Sequence, residues 1–196
     1  MPALDARVAT QVVEAALEDT IALHQRMRGL DLSPVVRAAE AISAACAAGG
    51  KVLIFGNGGS AGDAEHLAAE LVGRFERQRR ALAAVALTAD SSVVTSVAND
   101  ETFERVFARQ VEGLGQPGDV AFAISTSGRS RNVLTAIEAA RARRLSTVAL
   151  TGHDGGPVGR AADIHINVPD DSAARVQEVH RTLIHAICRI VETSLE

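Results

Sequence analysis

The sequence predicts a doubly wound α/β domain in which helices cover both faces of a five-stranded parallel sheet, giving three layers. Five short apolar runs, each bounded by Gly, Asp, Ser or Thr, are typical of strands buried on both faces. These runs cover residues 52–55, 83–87, 120–124, 147–150 and 164–168. Segments with a helical pattern separate them, two more precede the first run, and a long one follows the last.

The helical segments can be bounded by their own signals. The first runs from about residue 3 to residue 28, with apolar side chains near a 3.6-residue period. The second begins at Ser33-Pro34, where a capping serine precedes a proline at the first helical position, and ends at Gly49-Gly50. Further helices are predicted at 60–74, 91–99, 103–113, 130–143 and 157–162, and from Ser172 to the C-terminus.

The pattern contains no internal repeat, low-complexity tract or linker. Residues 1–196 are therefore expected to form a single domain, with leading helices over 3–49 and an α/β core over 51–196.

Composition excludes several classes of protein. A hydrophobic fraction of 47% with 22% charged residues is that of a globular chain, and a net charge of −4 gives no field that attracts nucleic acid or anionic membrane. No apolar stretch has the length of a signal peptide or a membrane span. Cys46 and Cys188 lie in apolar helical contexts and are expected to be buried thiols. We therefore expect a cytoplasmic protein with no nucleic-acid or membrane partner.

One locally basic stretch stands out against the acidic balance. Residues 74–80 contain four arginines. The preferred interpretation is a solvated helix end and loop, and a patch that binds phosphate or a partner is the alternative.

The loop Gly56-Asn57-Gly58-Gly59-Ser60 follows the first strand and opens a helix. In such sheets ligands bind beyond the carboxyl ends of the strands. Glycine lets the backbone approach an oxyanion, and the N–H groups of a helix start favour negative charge. The spacing matches neither a P-loop nor a dinucleotide-binding fingerprint, and a tight strand-to-helix turn is the alternative.

A second loop, Ser125-Thr126-Ser127-Gly128-Arg129-Ser130, follows the third strand with four hydroxyls. Four hydroxyls exceed what helix capping needs, so this loop is predicted to bind a phosphate monoester. Asn99-Asp100 forms a third candidate loop, and residues 151–156 are interpreted as a turn.

Four side chains on two helices are candidates for chemistry. His66 and Glu70 stand four residues apart on one helix face, and Gln177 and His185 lie about 80° apart around the last helix. Together they offer the nitrogen and oxygen donors of a zinc site, with a solvated helix surface as the alternative. No Gly-x-Ser-x-Gly elbow or His-Glu-x-x-His motif is present, so acyl transfer and metalloprotease chemistry have no support.

Taken together, these motifs resemble the sugar isomerase (SIS) domain and, within it, the sedoheptulose 7-phosphate isomerase (phosphoheptose isomerase) family. The similarity runs from about residue 51 to residue 191. The matching motifs are Gly56-Asn57-Gly58-Gly59-Ser60 with Asp63, His66 and Glu70, then Asn99-Asp100, Ser125-Thr126-Ser127-Gly128, Leu150-Thr151-Gly152, and Val176-Gln177-Glu178 with His185.

The resemblance implies conversion of D-sedoheptulose 7-phosphate to D-glycero-D-manno-heptose 7-phosphate through an enediol, with Glu70 as base and His185 as acid. It also implies one zinc ion per subunit and a homotetramer whose active sites lie between subunits. The implied zinc ligands are His66, Glu70, Gln177 and His185. The implied substrate contacts are Asn57, Gly58, Gly59, Glu70, Asn99, Asp100, Ser125, Thr126, Ser127, Ser130 and Gln177.

The sequence departs from the family pattern in two places. Arg129 stands where the family usually has Asn, and the segment 169–174 varies within the family, so neither Asp170 nor Asp171 is assigned a role.

Two other functions are alternatives to the isomerase. A second SIS subgroup binds the replication initiator protein and resembles this chain through residues 74–111. That subgroup lacks the acid at the position of Glu70 and the histidine at that of His185, so the enzyme is preferred over this adaptor and over a sugar-phosphate sensor.

Overall fold

A parallel five-stranded sheet forms the centre of the fold in the computed structural model, which describes residues 5–195. The strands are β1 (Val52–Gly56), β2 (Ala84–Ala86), β3 (Val120–Ser125), β4 (Ser146–Gly152) and β5 (Ile164–Val168). They lie in the order β2-β1-β3-β4-β5, and every neighbouring pair is parallel. The predicted strands are confirmed, with β2 reduced to three residues at the edge.

Helices occupy most of the remaining chain. They are α1 (Ala6–Met27), α2 (Ser33–Ala47), α3 (Gly59–Val72), α4 (Ser91–Asp100), α5 (Val106–Leu114), α6 (Arg131–Ala142), α7 (Gly156–Ala161) and α8 (Ala173–Ser194). Residues 3 and 4 of the first predicted helix and Glu196 of the last lie outside the described residues. Within residues 5–195 no helix is long and apolar enough to cross a membrane.

Two hydrophobic layers enclose the sheet, as the continuously apolar strands predict. Alternate residues of β1 face opposite sides: Val52 and Ile54 pack with α2, α3 and α8, while Leu53 and Phe55 pack with α5 and α6. This double burial explains why β1 and β3 show no polar alternation, whereas the edge strand β5 alternates apolar residues with His165 and Asn167. The doubly wound, three-layer prediction is confirmed.

Three local predictions are wrong in detail. Ser33 is the first helical residue of α2 rather than its cap, and the carboxylate of Asp31 accepts hydrogen bonds from both the Ser33 N–H and its hydroxyl at 2.9 Å. The helix predicted over 103–113 begins as a 3-10 turn at Phe103–Arg105. The basic stretch is not wholly solvated, because only 10% of the Arg79 side chain is exposed, beside Glu192.

The strand order places a switch point between β1 and β3. From this point the chain winds outward to β2 on one side and to β4 and β5 on the other. Gly56 at the end of β1 is in register with Ile124 near the end of β3, so the loops that follow these two strands leave the sheet side by side. A crevice at this position is where doubly wound sheets bind ligands.

Candidate active site

The loop after β1 approaches α8 closely, and its glycines make that approach feasible. Gly58 has φ +57°, a conformation that favours glycine. A Cβ on Gly59 would overlap the side-chain amide of Gln177. The glycine loop therefore allows the start of α3 to pack directly against α8 at Gln177, which is a predicted zinc ligand.

Asn57 of the glycine loop is held by a residue that sequence reasoning missed. Its amide exchanges two hydrogen bonds, each 2.9 Å, with the amide of buried Asn132 in the first turn of α6. Because α6 follows the loop after β3, this pair joins the two candidate phosphate loops. Nothing in the sequence distinguishes Asn132 from an asparagine on the solvent-facing side of a helix.

The loop after β3 presents its hydroxyls at the start of α6. The Ser125 and Ser130 hydroxyls are 3.2 Å apart, and the Ser127 hydroxyl accepts the N–H of Arg129 at 3.2 Å. Ser130 occupies the N-cap position, and within the described chain no side chain caps this helix. The free N–H groups of the first turn are thus available to an anion.

The loop after β4 supports the phosphate loop instead of forming an isolated turn. Gly128, with φ +63°, packs on the backbone of Gly155 and Gly156. The Arg129 guanidinium donates two hydrogen bonds, at 2.9 and 3.0 Å, to the carboxylate of Asp154. The residue that departs from the family pattern therefore ties these two loops together.

His66, Glu70 and His185 come together where α3 and α8 meet. His66 Nε2 lies 2.8 Å from His185 Nε2 and 3.5 Å from Glu70 Oε1. Burial lowers the pKa of His66, and the guanidinium of Arg181 lowers it further. These effects favour the neutral form of the ring, which can accept a proton or bind a metal ion.

The same two helices form a pocket of about 440 Å³ that is lined by Gly59, Asp63, Ala174, Gln177, Glu178 and Arg181. Arg181 in this pocket pairs with the buried Asp63 at 2.6 Å. Burial raises the pKa of Asp63, and the charge of Arg181 opposes that rise. The contacts of Gly59 with Gln177, Asp63 with Arg181, and His66 with His185 follow one another, so α3 and α8 run parallel along one seam.

The predicted zinc ligands lie along this seam, but they do not form a completed cage. Nitrogen ligands of a tetrahedral zinc ion lie about 3.3 Å apart, so the two Nε2 atoms, which are 2.8 Å apart, would have to separate slightly. Within residues 5–195 no group of three or more His, Cys, Asp or Glu side chains is arranged to hold a metal ion. The chemistry of the donor set fits zinc, whereas Gln177 lies further along the seam, beside Gly59.

The remaining predicted substrate contacts lie elsewhere. Asn99 and Asp100 are exposed at the end of α4, and the Asn99 amide donates to the Asp100 carboxylate at 2.8 Å. Within this chain both side chains face solvent. Thr126 is partly buried in the loop after β3, next to Ser125 and Ser127.

Known proteins resemble the chain in both sequence and structure. The model of the SIS domain family matches residues 17–152. A phosphoheptose isomerase of Bordetella avium is 48% identical over 190 residues, covering 95% of this chain and 96% of the relative. One of Dechloromonas aromatica is 49% identical over 166 residues, covering 83% and 85%.

Two solved structures share the whole architecture. The phosphoheptose isomerase GmhA from Neisseria gonorrhoeae superposes with a TM-score of 0.88 at 42% identity, covering 94% of this chain and 99% of that chain. A phosphoheptose isomerase from Francisella tularensis gives a TM-score of 0.90 at 34% identity, covering 94% and 98%. The family expected from the motifs is confirmed: the chain belongs to the SIS domain family and, within it, to the phosphoheptose isomerases, a family of sugar phosphate isomerases.

Proposed function

We propose that the chain converts D-sedoheptulose 7-phosphate to D-glycero-D-manno-heptose 7-phosphate as an aldose–ketose isomerase. The observation that carries the proposal is that Glu70 and His185 both approach the ring of His66 on the seam that begins at the glycine loop. A carboxylate beside an imidazole supports acid–base chemistry, and the neighbouring loops suit a phosphate.

The reaction moves a proton between C1 and C2 of the open-chain sugar through an enediol. Glu70 takes the proton from C1 while His185 protonates the oxygen at C2. His185 then removes the proton from the oxygen at C1, and Glu70 returns its proton to C2. General acid–base catalysis of this kind contributes about 10²–10⁴-fold in rate.

The phosphate is proposed to bind at the start of α6. The hydroxyls of Ser125, Thr126, Ser127 and Ser130 and the first N–H groups of the helix offer donors there. Asn57, Gly58, Gly59 and Gln177 would contact the sugar between this loop and the seam. Gly59 and Gln177 line the pocket of about 440 Å³, a volume within the usual range for small-molecule sites.

One zinc ion per subunit is proposed on the seam, with His66, Glu70, Gln177 and His185 as ligands. When bound, zinc would polarise the substrate carbonyl and stabilise the oxyanion that develops. The burial that lowers the pKa of His66 supports this role, because a histidine must be deprotonated to bind a metal ion. Glu70 would then serve as both ligand and base.

The proposed assembly is a homotetramer with active sites between subunits. Five large apolar side chains on α1 are between 52% and 65% exposed, which supports a protein interface. The exposure of Asn99 and Asp100 supports a site that another subunit completes. A cytoplasmic location stays a prediction.

The test is an aldose-forming assay with D-sedoheptulose 7-phosphate on chelator-stripped protein, with and without added zinc. We expect zinc to restore turnover, and Glu70→Gln to lower kcat by at least about 100-fold, since it removes the base. The matched control is Glu65→Gln, an exposed carboxylate on the same helix that accepts a hydrogen bond from Thr88.

Near-normal turnover by a folded Glu70→Gln protein would remove Glu70 as the base. If the folded wild-type protein shows no turnover either with or without added zinc, the isomerase is rejected. Binding of the replication initiator protein would then be measured.

A further inference from the structure

The loop after α3, residues 73–80, is anchored by a buried carboxylate of α8. Glu192 is only 5% exposed, and it accepts hydrogen bonds from the backbone N–H groups of Phe75, Glu76 and Arg77 at 2.9, 2.9 and 3.0 Å. A buried carboxylate needs such partners to offset its loss of hydration. The last turns of α8 therefore determine the path of this loop.

Arg79 completes the anchor and extends it to α3. Its Nε lies 3.2 Å from the Glu192 carboxylate. Its guanidinium also donates to the backbone carbonyls of Glu70 and Leu71, at 2.6 and 2.8 Å. One buried ion pair thus connects the backbone of the proposed base to the helix that carries the proposed acid.

The anchored loop presents an aromatic ring to the active site. The ring of Phe75 stacks on the imidazole of His185, with centroids 5.2 Å apart and planes inclined by 29°. His185 also contacts the ring of His66, with centroids 5.0 Å apart. The position of His185 is consequently constrained by contacts with two rings.

We infer that Phe75 is a positioning residue for His185, and that Glu192 and Arg79 hold Phe75 in place. This inference rests on the proposed function, in which His185 is both acid and zinc ligand. Residues that orient a metal ligand typically affect metal affinity or activity by about 10–100-fold. A loop that only stabilised the fold would affect unfolding and leave those quantities unchanged.

The test compares Phe75→Leu, which keeps an apolar side chain but removes the flat ring, with the wild-type protein. We expect kcat to fall by about tenfold or more with KM within about threefold, and zinc affinity, measured by chelator competition, to fall by a similar factor. Glu192→Gln should do the same, because an amide NH₂ would face backbone donors and Arg79.

The matched control is Arg189→Gln. Arg189 joins the same helix to the same loop through an exposed ion pair with Glu76 and is not part of the stack of Phe75 on His185. We expect its kcat and zinc affinity to stay within about twofold of wild type, as is usual for surface pairs. Thermal unfolding of each variant shows whether a fall in activity reflects unfolding of the protein or displacement of His185.

A third readout does not depend on turnover. In zinc-free protein, the NMR cross-relaxation (NOE) between the ring protons of His66 and His185 should weaken in Phe75→Leu and not in Arg189→Gln, because it depends on the distance between the two rings. Unchanged kcat, zinc affinity and His66–His185 NOEs in a folded Phe75→Leu protein would overturn the inference. If the wild-type protein has no isomerase activity, the proposed function fails and the NOEs still decide whether Phe75 positions His185.

Discussion

At the scale of single residues, His180 shows how burial determines charge. The side chain is fully buried in α8, and its Nε2 lies 3.0 Å from the carbonyl oxygen of Thr151, to which it donates. Burial lowers the pKa of His180 to about 4. The ring is therefore predominantly neutral in the folded protein at neutral pH.

This burial predicts a loss of stability in mild acid. An unfolded chain binds a proton at His180 as the pH falls through about 6.5, whereas the folded chain binds it only near 4. His180 should therefore lower the free energy of unfolding by about 3 kcal/mol as the pH falls from 6.5 to 4. Above pH 6.5 this residue should contribute no pH dependence. Urea unfolding over that range measures it.

The control for this prediction is a pair of variants. His180→Gln keeps a donor for the Thr151 carbonyl and should reduce the pH dependence, whereas His153→Gln, whose ring pairs with the exposed Asp171, should not. Equal pH dependence in His180→Gln and wild type would contradict the assignment.

A second residue-scale prediction concerns the proposed phosphate loop. Ser127→Ala should raise KM by about tenfold and lower kcat much less, because a phosphate contact that is equal in ground and transition states affects binding alone. Thr135→Ala is the control, since its hydroxyl donates to the Arg131 carbonyl on the same helix. An unchanged KM in Ser127→Ala would move the phosphate to another site.

At the scale of elements, the loops after β3 and β4 depend on backbone contact between glycines. A Cβ on Gly128 would overlap the carbonyl of Gly155, and Gly128 has φ +63°. Gly128→Ala should therefore lower the free energy of unfolding by more than about 2 kcal/mol and raise KM, as measured by denaturation and initial rates.

The loss in Gly128→Ala combines the strain of a positive φ with the overlap of the added Cβ, and Gly49→Ala measures the first contribution alone. Gly49 has φ +81°, but nothing lies within 4 Å of an added Cβ. It should lose only the backbone contribution, about 1–2 kcal/mol. Equal losses in the two variants would show that the contact between the loops does not matter.

At the scale of the whole molecule, α1 presents an apolar stripe away from the core. Only Leu23 and Met27 of this helix are buried. The exposed stripe consists of Val8, Val12, Val13, Leu17 and Ile21. A stripe of this size favours burial against another protein surface, here proposed to be another copy of the chain.

The assembly prediction follows from this stripe. Leu17→Asp should convert the proposed tetramer to smaller species in sedimentation velocity, because it places a charge in an apolar interface. Glu14→Gln, a change of an exposed polar residue on the same helix, should leave the sedimentation coefficient unchanged. A Leu17→Asp protein that sediments like wild type would exclude the stripe from the interface.

The strands, most of the helices and the family follow from local patterns in the amino-acid sequence. Burial on both faces makes the residues of an inner strand apolar, so β1 and β3 are visible as runs. The glycine and hydroxyl loops and the His66–Glu70 pair were visible for a similar reason, since their spacing within a few residues carries the signal.

Which distant residues act together depends on the folding of the whole chain. Asn132 with Asn57, Asp63 with Arg181, and Glu192 with the loop at 75–77 join segments far apart in the chain. An acidic residue near the end of an amphipathic helix is typical of a solvated face, and Glu192 is buried because the loop after α3 folds over it. Periodicity indicates which face of an element is buried, but the element that covers it is determined by the packing of the whole chain.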